Sequence, residues 1–473
     1  MVGGQKMTAE EPTIWDEFEI RGKWWSVESG PDAATNGRLG YIPNDDIVLD
    51  VDGQLTPAGT ALTVVHGLSS DGRFVTLLGC QEFHQTVRMP GTVVTKYVVR
   101  RLLIGRQHVI AADAPFNDLR VGFNGLTKWL GDSPLQNSAA RGGLLGLKKP
   151  QMIEGRWAFS CLQSRLTVRS CAMVAANGDA WSTLGATADG YLWLTPRDPK
   201  NLSWHLSIAS DLRQLLTVLS GQEIFLTRLF VKPAMQNVSA DGLREDPGWF
   251  QIFYPFRTAS RPKDNETRRF VISAADLADD LPGVVAEWLR ENAPVRALAD
   301  LYAAVLLIDR FPAEAELLFL TQSLERYHRR RLPGRYMDDA DYAAVSGALS
   351  AAIPAGLEES HRASLRARVR FGNEYSLRKR LAELMDRLDP TVAAMITDHR
   401  AGFIGQAVDT RNFYTHYPDD PAAAAGIVRG IDLWRFNGRL RLFIFALILT
   451  EFALPPQAIR MALSRSPDAR RLV

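Results

Sequence analysis

Between Val408 and Tyr417 the chain reads VDTRNFYTHY, and three of these residues suit work on a phosphodiester: Arg411, Asn412 and His416. On a helix Asn412 and His416 are four apart, about 40° from each other around the axis, so they share a face. Arg411 is about 140° from His416, but its long stem can swing the guanidinium toward the same spot. An imidazole, with an ordinary pKa of about 6.5, gives or takes a proton near neutrality. A guanidinium keeps its charge and its planar fork, which stabilises extra negative charge on a pentacoordinate phosphorus. The amide can orient a phosphate oxygen or a 2′-hydroxyl. In RNA that hydroxyl is an internal nucleophile beside the scissile phosphorus, so positioning and proton transfer go far without a metal. One imidazole does not readily serve both sides of such a reaction, and a two-fold pair of copies would supply two. Asp409, just upstream, is placed to hold Arg411 or His416, or simply to sit on a solvated helix surface.

The remaining chemistry is sparse. No HExxH, CxxC pair, GxSxG or GxxxxGK[ST] occurs in the 473 residues. Gly142, Gly143 and Gly146 lack the strand-to-helix context of a phosphate loop and read as a surface turn. His66, His84, His108 and His205 are scattered at no metal-ligand spacing. No metal or organic cofactor is therefore expected. Lys+Arg 55 against Asp+Glu 53 leaves a net charge of +2, which argues against a bulk basic coat for nucleic acid. Basic runs are local instead: Arg326 to Arg331, His361 to Arg370, and Arg378-Lys379-Arg380. Each is either a solvated helix face or part of a salt-sensitive track for an RNA backbone. Tyr327, Tyr414 and Tyr417 are available to stack on bases.

Three cysteines cannot build a disulfide framework, and MVGGQKMTAEEP has no apolar core for a leader, so a reducing, cytoplasmic setting is expected. The longest apolar run, Leu442 to Leu449, is far short of the ~20 residues needed to span a bilayer. It reads as a buried helix, with no membrane partner.

These residues must be positioned by an α+β architecture in two parts. From about Thr13 to Arg257 the chain is rich in alternating and β-branched segments separated by turn signals such as Asp71-Gly72 and Asn177-Gly178. Nine of eleven tryptophans lie there, which suits wide strand surfaces packed face to face. The expectation is a sandwich-like β-rich domain over 1–275, read either as one body or as two β-modules meeting near 142–150. Thr258 to Thr267 reads as a linker. An all-helical domain follows over 276–473, with amphipathic stretches at Leu281 to Arg310, Ala313 to Arg330, Asp338 to Ile353, Glu358 to Phe371 and Ser376 to Leu388.

The Arg411-Asn412 pair with His416 in a late helix of such a bundle resembles the HEPN superfamily, whose mark is Arg-x(4–6)-His, commonly with Asn after the Arg. Leu317 to Arg330 (LLFLTQSLERYHRR) resembles the Glu-bearing helix of its ApeA-like branch, with Glu325 as the matching acid. Gly22-Lys23-Trp24-Trp25 resembles the Gly-x-Trp-Trp near the start of ApeA-type N-terminal domains, although Ser26-Val27 stands where that pattern has a proline. The resemblance covers nearly the whole chain. It implies a metal-independent endoribonuclease of abortive-infection antiphage defence, a homodimer or larger, that cuts RNA (tRNA among the candidates). The implied roles are His416 as acid/base, Arg411 as stabiliser and Asn412 as orienter. Glu325, Asp409 and Tyr417 would support them, and the β-rich part would sense a phage-derived trigger or restrain the nuclease. His416-Tyr417-Pro418 departs from the His-x-Tyr modification signal of one HEPN subset, so that regulation is not carried over. Two rival readings stay open. One is a non-catalytic HEPN scaffold that binds RNA or nucleotide and presents its β-domain to a partner. The other is a carbohydrate-binding β-domain using exposed Trp24-Trp25.

Overall fold

The computed structural model describes residues 12–56, 61–87, 91, 93–133, 135, 151–162, 165–178, 184–234, 237–238, 244–256, 270–307, 311–416 and 426–472. The expected module junction at 142–150, the expected linker Thr258 to Thr267 and Tyr417 lie outside these residues. The chain divides into two compact units, Met1–Arg213 with Ile224–Arg268, and Gln214–Glu223 with Arg269–Val473.

The first unit is β-rich. Its strands are β1 Phe18–Ser26, β2 Thr35–Tyr41, β3 Ile47–Asp52, β4 Leu62–Ser69, β5 Phe74–Val87, β6 Val93–Gly105, β7 Phe116–Phe123, β8 Gln151–Cys161, β9 Leu166–Gly178, β10 Leu184–Pro196 and β11 Leu226–Pro233. A short pair, β12 Asn237–Val238 and β13 Arg244–Glu245, and the four-residue β14 Phe250–Phe253 complete the set. Two antiparallel meanders, β1-β2-β3 and β4-β5-β6, are joined by β1–β4 and β3–β6 pairing into a closed ring of strands. The wide strand faces expected to pack as in a sandwich pack here by rolling one sheet on itself. β6 makes this branch possible: Val94 to Val99 pair with β3, while Leu102 to Ile104 pair with β14. From β14 the sheet runs on through β11, β7, β10 and β9 to β8.

The Gly-Lys-Trp-Trp segment sits in β1 and explains itself sterically. Trp24 is fully buried and stands opposite Gly67 of β4. A Cβ on Gly67 would lie 2.4 Å from the indole ring, and one on Gly37 of β2 2.8 Å from its Cδ1. Trp25 points to the other face and is 9% exposed, edge-on to His66 and His108, whose rings stack at 4.2 Å. Neither tryptophan is open to a sugar, which removes the basis of the carbohydrate-binding reading.

Among the described residues, the helices named within the stretch read as strand are α1 Leu126–Leu130 and α2 Leu202–Ser220. The second buries Leu202, His205, Ile208, Ala209, Leu212, Leu215, Leu216 and Leu219, a helical repeat the strand reading passed over.

The second unit is helical: α3 Ala274–Leu277, α4 Leu281–Leu289, α5 Pro294–Leu307, α6 Ala313–Arg331, α7 Asp339–Ala351, α8 Glu359–Arg370, α9 Leu377–Asp386, α10 Pro390–Ala393, α11 Arg400–His416, α12 Gly430–Glu451, α13 Pro456–Arg465 and α14 Pro467–Leu472. The stretch read as one helix over Leu281 to Arg310 is two, because Asn292 turns with φ 57° and Pro294 opens a new helix. α12 is the axis of the core, with every residue from Leu440 to Leu449 buried. Among the described residues no helix is long and apolar enough to cross a membrane.

Two buried polar networks tie the bundle. Arg441 of α12 donates to both Asp468 oxygens of α14, at 2.9 and 2.6 Å, and pairs with Glu316 of α6. Asn437 completes the set by donating to Glu316 at 3.1 Å. In the other, Arg380 of α9 donates to Nδ1 of the fully buried His328 of α6 at 2.9 Å. That fixes the proton on Nε2, which donates to Glu383 at 2.7 Å. Burial foremost, with the Arg380 charge, pulls His328 below its ordinary pKa, against the pull of Glu383.

Candidate active site

α11 carries the Arg411, Asn412 and His416 constellation at its far end. It is anchored by its first half: Phe403, Ile404, Ala407, Val408 and Thr410 are buried, and Phe403 meets Phe436 at 5.1 Å and Phe443 at 6.3 Å. Burial then stops. Asn412, Thr415 and His416 are exposed and Arg411 is half-buried, so the last turn and a half stands open to solvent. Phe413 is half-buried with the Arg429 guanidinium 4.9 Å from its ring. The Thr410 hydroxyl accepts from the Val428 N–H at 3.3 Å, tying the chain after the motif back to the helix.

Arg411 swings toward Asn412: its Nη1 donates to Asn412 Oδ1 at 3.2 Å. Thr415 returns its hydroxyl to the Arg411 carbonyl at 2.7 Å. Among the described residues His416 makes no side-chain hydrogen bond to either. The structure thus brings Arg411 and Asn412 into contact, and places the imidazole one turn further on, with no side-chain hydrogen bond among the described residues.

The supporting acids sit otherwise than the spacing invited. Glu325 of α6 pairs with Arg329 at 3.1 Å, not with Arg411. Asp409 pairs with Arg378 of α9 at 2.8 Å, rather than holding Arg411 or His416. Of the expected basic track, Arg380 and His328 are buried in the network above, while His361, Arg366, Arg368 and Arg370 of α8 are exposed. Tyr327 is fully buried and hydrogen-bonds Glu451, which withdraws it from base stacking; Tyr414 is half-buried.

The Arg378–Asp409 pair has a built support that sequence reading missed. Arg378 lies across Gly405 of α11, where an added Cβ would be 3.2 Å from its Nη1. A glycine inside a helix costs about 1 kcal/mol against alanine. An exposed ion pair returns roughly 0.2–1 kcal/mol, and here the partners are 52% and 56% exposed. Stability alone does not explain the arrangement. Gly405, Asp409, Asn412 and His416 also follow an i, i+4, i+7, i+11 spacing, which places all four on one stripe of the helix. That spacing was the available signal, and it joins Arg378 to the motif only once α9 is packed on α11.

Residues 19–288 match the family ApeA N-terminal domain 1, which alone covers more than half of the chain, and residues 318–457 match the Apea-like HEPN family. The chain belongs to the ApeA family. No curated protein and no solved structure matches it. Within the ApeA-like HEPN match fall Glu325, Arg378, Gly405, Asp409, Arg411, Asn412 and His416, whereas the β-ring with Trp24 lies almost wholly in the ApeA N-terminal match.

Proposed function

We propose that this ApeA-family chain is a metal-independent endoribonuclease of abortive-infection defence against phage. The observation that carries the reading is the Arg411–Asn412 hydrogen bond at the solvent-open end of α11, with His416 on the Asn412 face inside the HEPN match. The RNA 2′-hydroxyl attacks the adjacent phosphorus as the P–O5′ bond breaks, leaving a 2′,3′-cyclic phosphate and a 5′-hydroxyl. His416 takes the 2′-hydroxyl proton, and a second acid gives one to the departing O5′. Arg411 neutralises charge gathering on the non-bridging oxygens, and Asn412 fixes the guanidinium and orients a phosphate oxygen or the 2′-hydroxyl. An arginine, an amide and an imidazole are poor ligands for Mg²⁺, and the nearest motif carboxylate, Asp409, is engaged by Arg378. A second copy in a homodimer supplies the second imidazole. The β-rich unit senses a phage-derived trigger or restrains the nuclease.

The test is purified full-length protein with RNA in EDTA, with and without phage infection of the producing cells. The expected result is cleavage that ends in cyclic phosphate and is lost in His416→Ala. Cleavage unaffected by His416→Ala, or none in either condition, rejects the mechanism and favours a non-catalytic scaffold.

A further inference from the structure

Resting on the nuclease reading above, we infer that Arg378 is a further substrate-positioning residue, which grips an RNA backbone phosphate next to the cleavage site. Three features of the fold converge on this. Arg378 comes from α9, a different helix from the motif, yet Asp409 holds it at 2.8 Å on the α11 stripe that carries Asn412 and His416. Gly405 gives it room: a Cβ there would stand 3.2 Å from the Arg378 Nη1, tight enough to displace the guanidinium by a few tenths of an ångström. The Arg378 side chain is also more than half exposed, so it is not spent on packing.

The energetics point the same way. The glycine weakens the helix by more than an exposed pair reliably restores. Arg378 also stands in the first turn of α9, which carries no acidic residue of its own and where the helix dipole disfavours a cation, so its counter-charge, Asp409, comes from α11. The held guanidinium sits between Gly405 and Asp409, eleven and seven residues from His416, so it lies roughly 10–16 Å along the axis from the imidazole. That separation suits a phosphate one or two steps along the same strand, not the scissile one, which Arg411 serves. Asp409 acts through Arg378 as its clamp.

The experiment measures RNA binding on the His416→Ala background and cleavage on the unmodified one, across a salt series. Arg378→Ala is expected to lower kcat/KM about tenfold, mostly through KM, and to reduce the slope of log affinity against log salt by about 0.7, the loss of one single-strand phosphate contact. Arg378→Lys keeps the charge and should restore the slope. Gly405→Ala should raise KM in the same direction while Tm stays level or rises, a split that a merely structural pair would not give. Cleavage dependent on His416, with Arg378→Ala and Gly405→Ala both unchanged in KM and salt slope, overturns this inference and leaves the nuclease reading standing. If the unmodified chain neither cuts nor binds RNA, both fall together.

Discussion

Among the described residues a single N–H of the five on the Arg411 guanidinium is engaged, by Asn412, which leaves the rest of the fork to meet phosphate oxygens. The pairing predicts unequal losses. His416→Ala should lower the cleavage rate by about 10²–10⁴, the usual worth of a general acid/base. Arg411→Lys keeps the charge but loses the planar fork, so it should remain well below the unmodified rate, with Arg411→Ala lower still. Asn412→Ala should cost less than either, because it orients and carries no charge. Rates on one RNA with the cyclic-phosphate product quantified would check the order; Arg411→Lys at full rate would deny the fork its role. This triplet was legible because its geometry is local: a spacing of four on one helix needs no tertiary information. Glu325 and Asp409 were not legible in the same way. Their partners, Arg329 and Arg378, are set by side-chain reach and by the packing of α9 on α11.

Among the elements, α6 and α9 meet through His328, whose state is readable in a pH experiment. Its folded pKa is lowered by burial, so between that value and about 6.5 the unfolded chain binds more protons than the folded one. Stability from this group is full above about 6.5 and drains away as pH falls through the folded pKa. His328→Gln can accept from Arg380 and donate to Glu383 without titrating. It should flatten the fall in helix stability below about pH 6.5 by up to one proton, or about 1.4 kcal/mol per pH unit. Urea unfolding followed by helix signal at several pH values gives the slope; an unchanged slope refutes the neutral tautomer. The strands offer a parallel case. Gly67→Ala drives a Cβ into the buried Trp24 ring and should cost about 1–3 kcal/mol, partly relieved in the double variant with Trp24→Phe. The sequence displayed α6 to α9 plainly, since each has its own amphipathic repeat and proline punctuation. It hid α2 inside a β-rich stretch and the break at Asn292, where one left-handed residue decides between one helix and two.

For the whole molecule, the decisive quantity is how many imidazoles one cleavage event needs. The end of α11 is open, and His416 has no acid or base partner from its own chain among the described residues. If base and acid come from two copies across a two-fold axis, a dimer with one His416→Ala chain lacks one proton transfer and is nearly dead. Tagged unmodified and His416→Ala chains, co-expressed in varying proportion and purified together, should lose activity as the square of the unmodified fraction. An equal mixture then keeps about a quarter of the activity, against about half if each chain works alone. Dilution should act in the same sense, with specific activity falling as the pair dissociates. A linear dependence on the unmodified fraction, at concentrations where the chains are paired, would place both proton transfers within one copy. It would then require a second titratable group on the His416 side of α11, and the stripe that holds Asn412 and Asp409 is where that group would have to be sought.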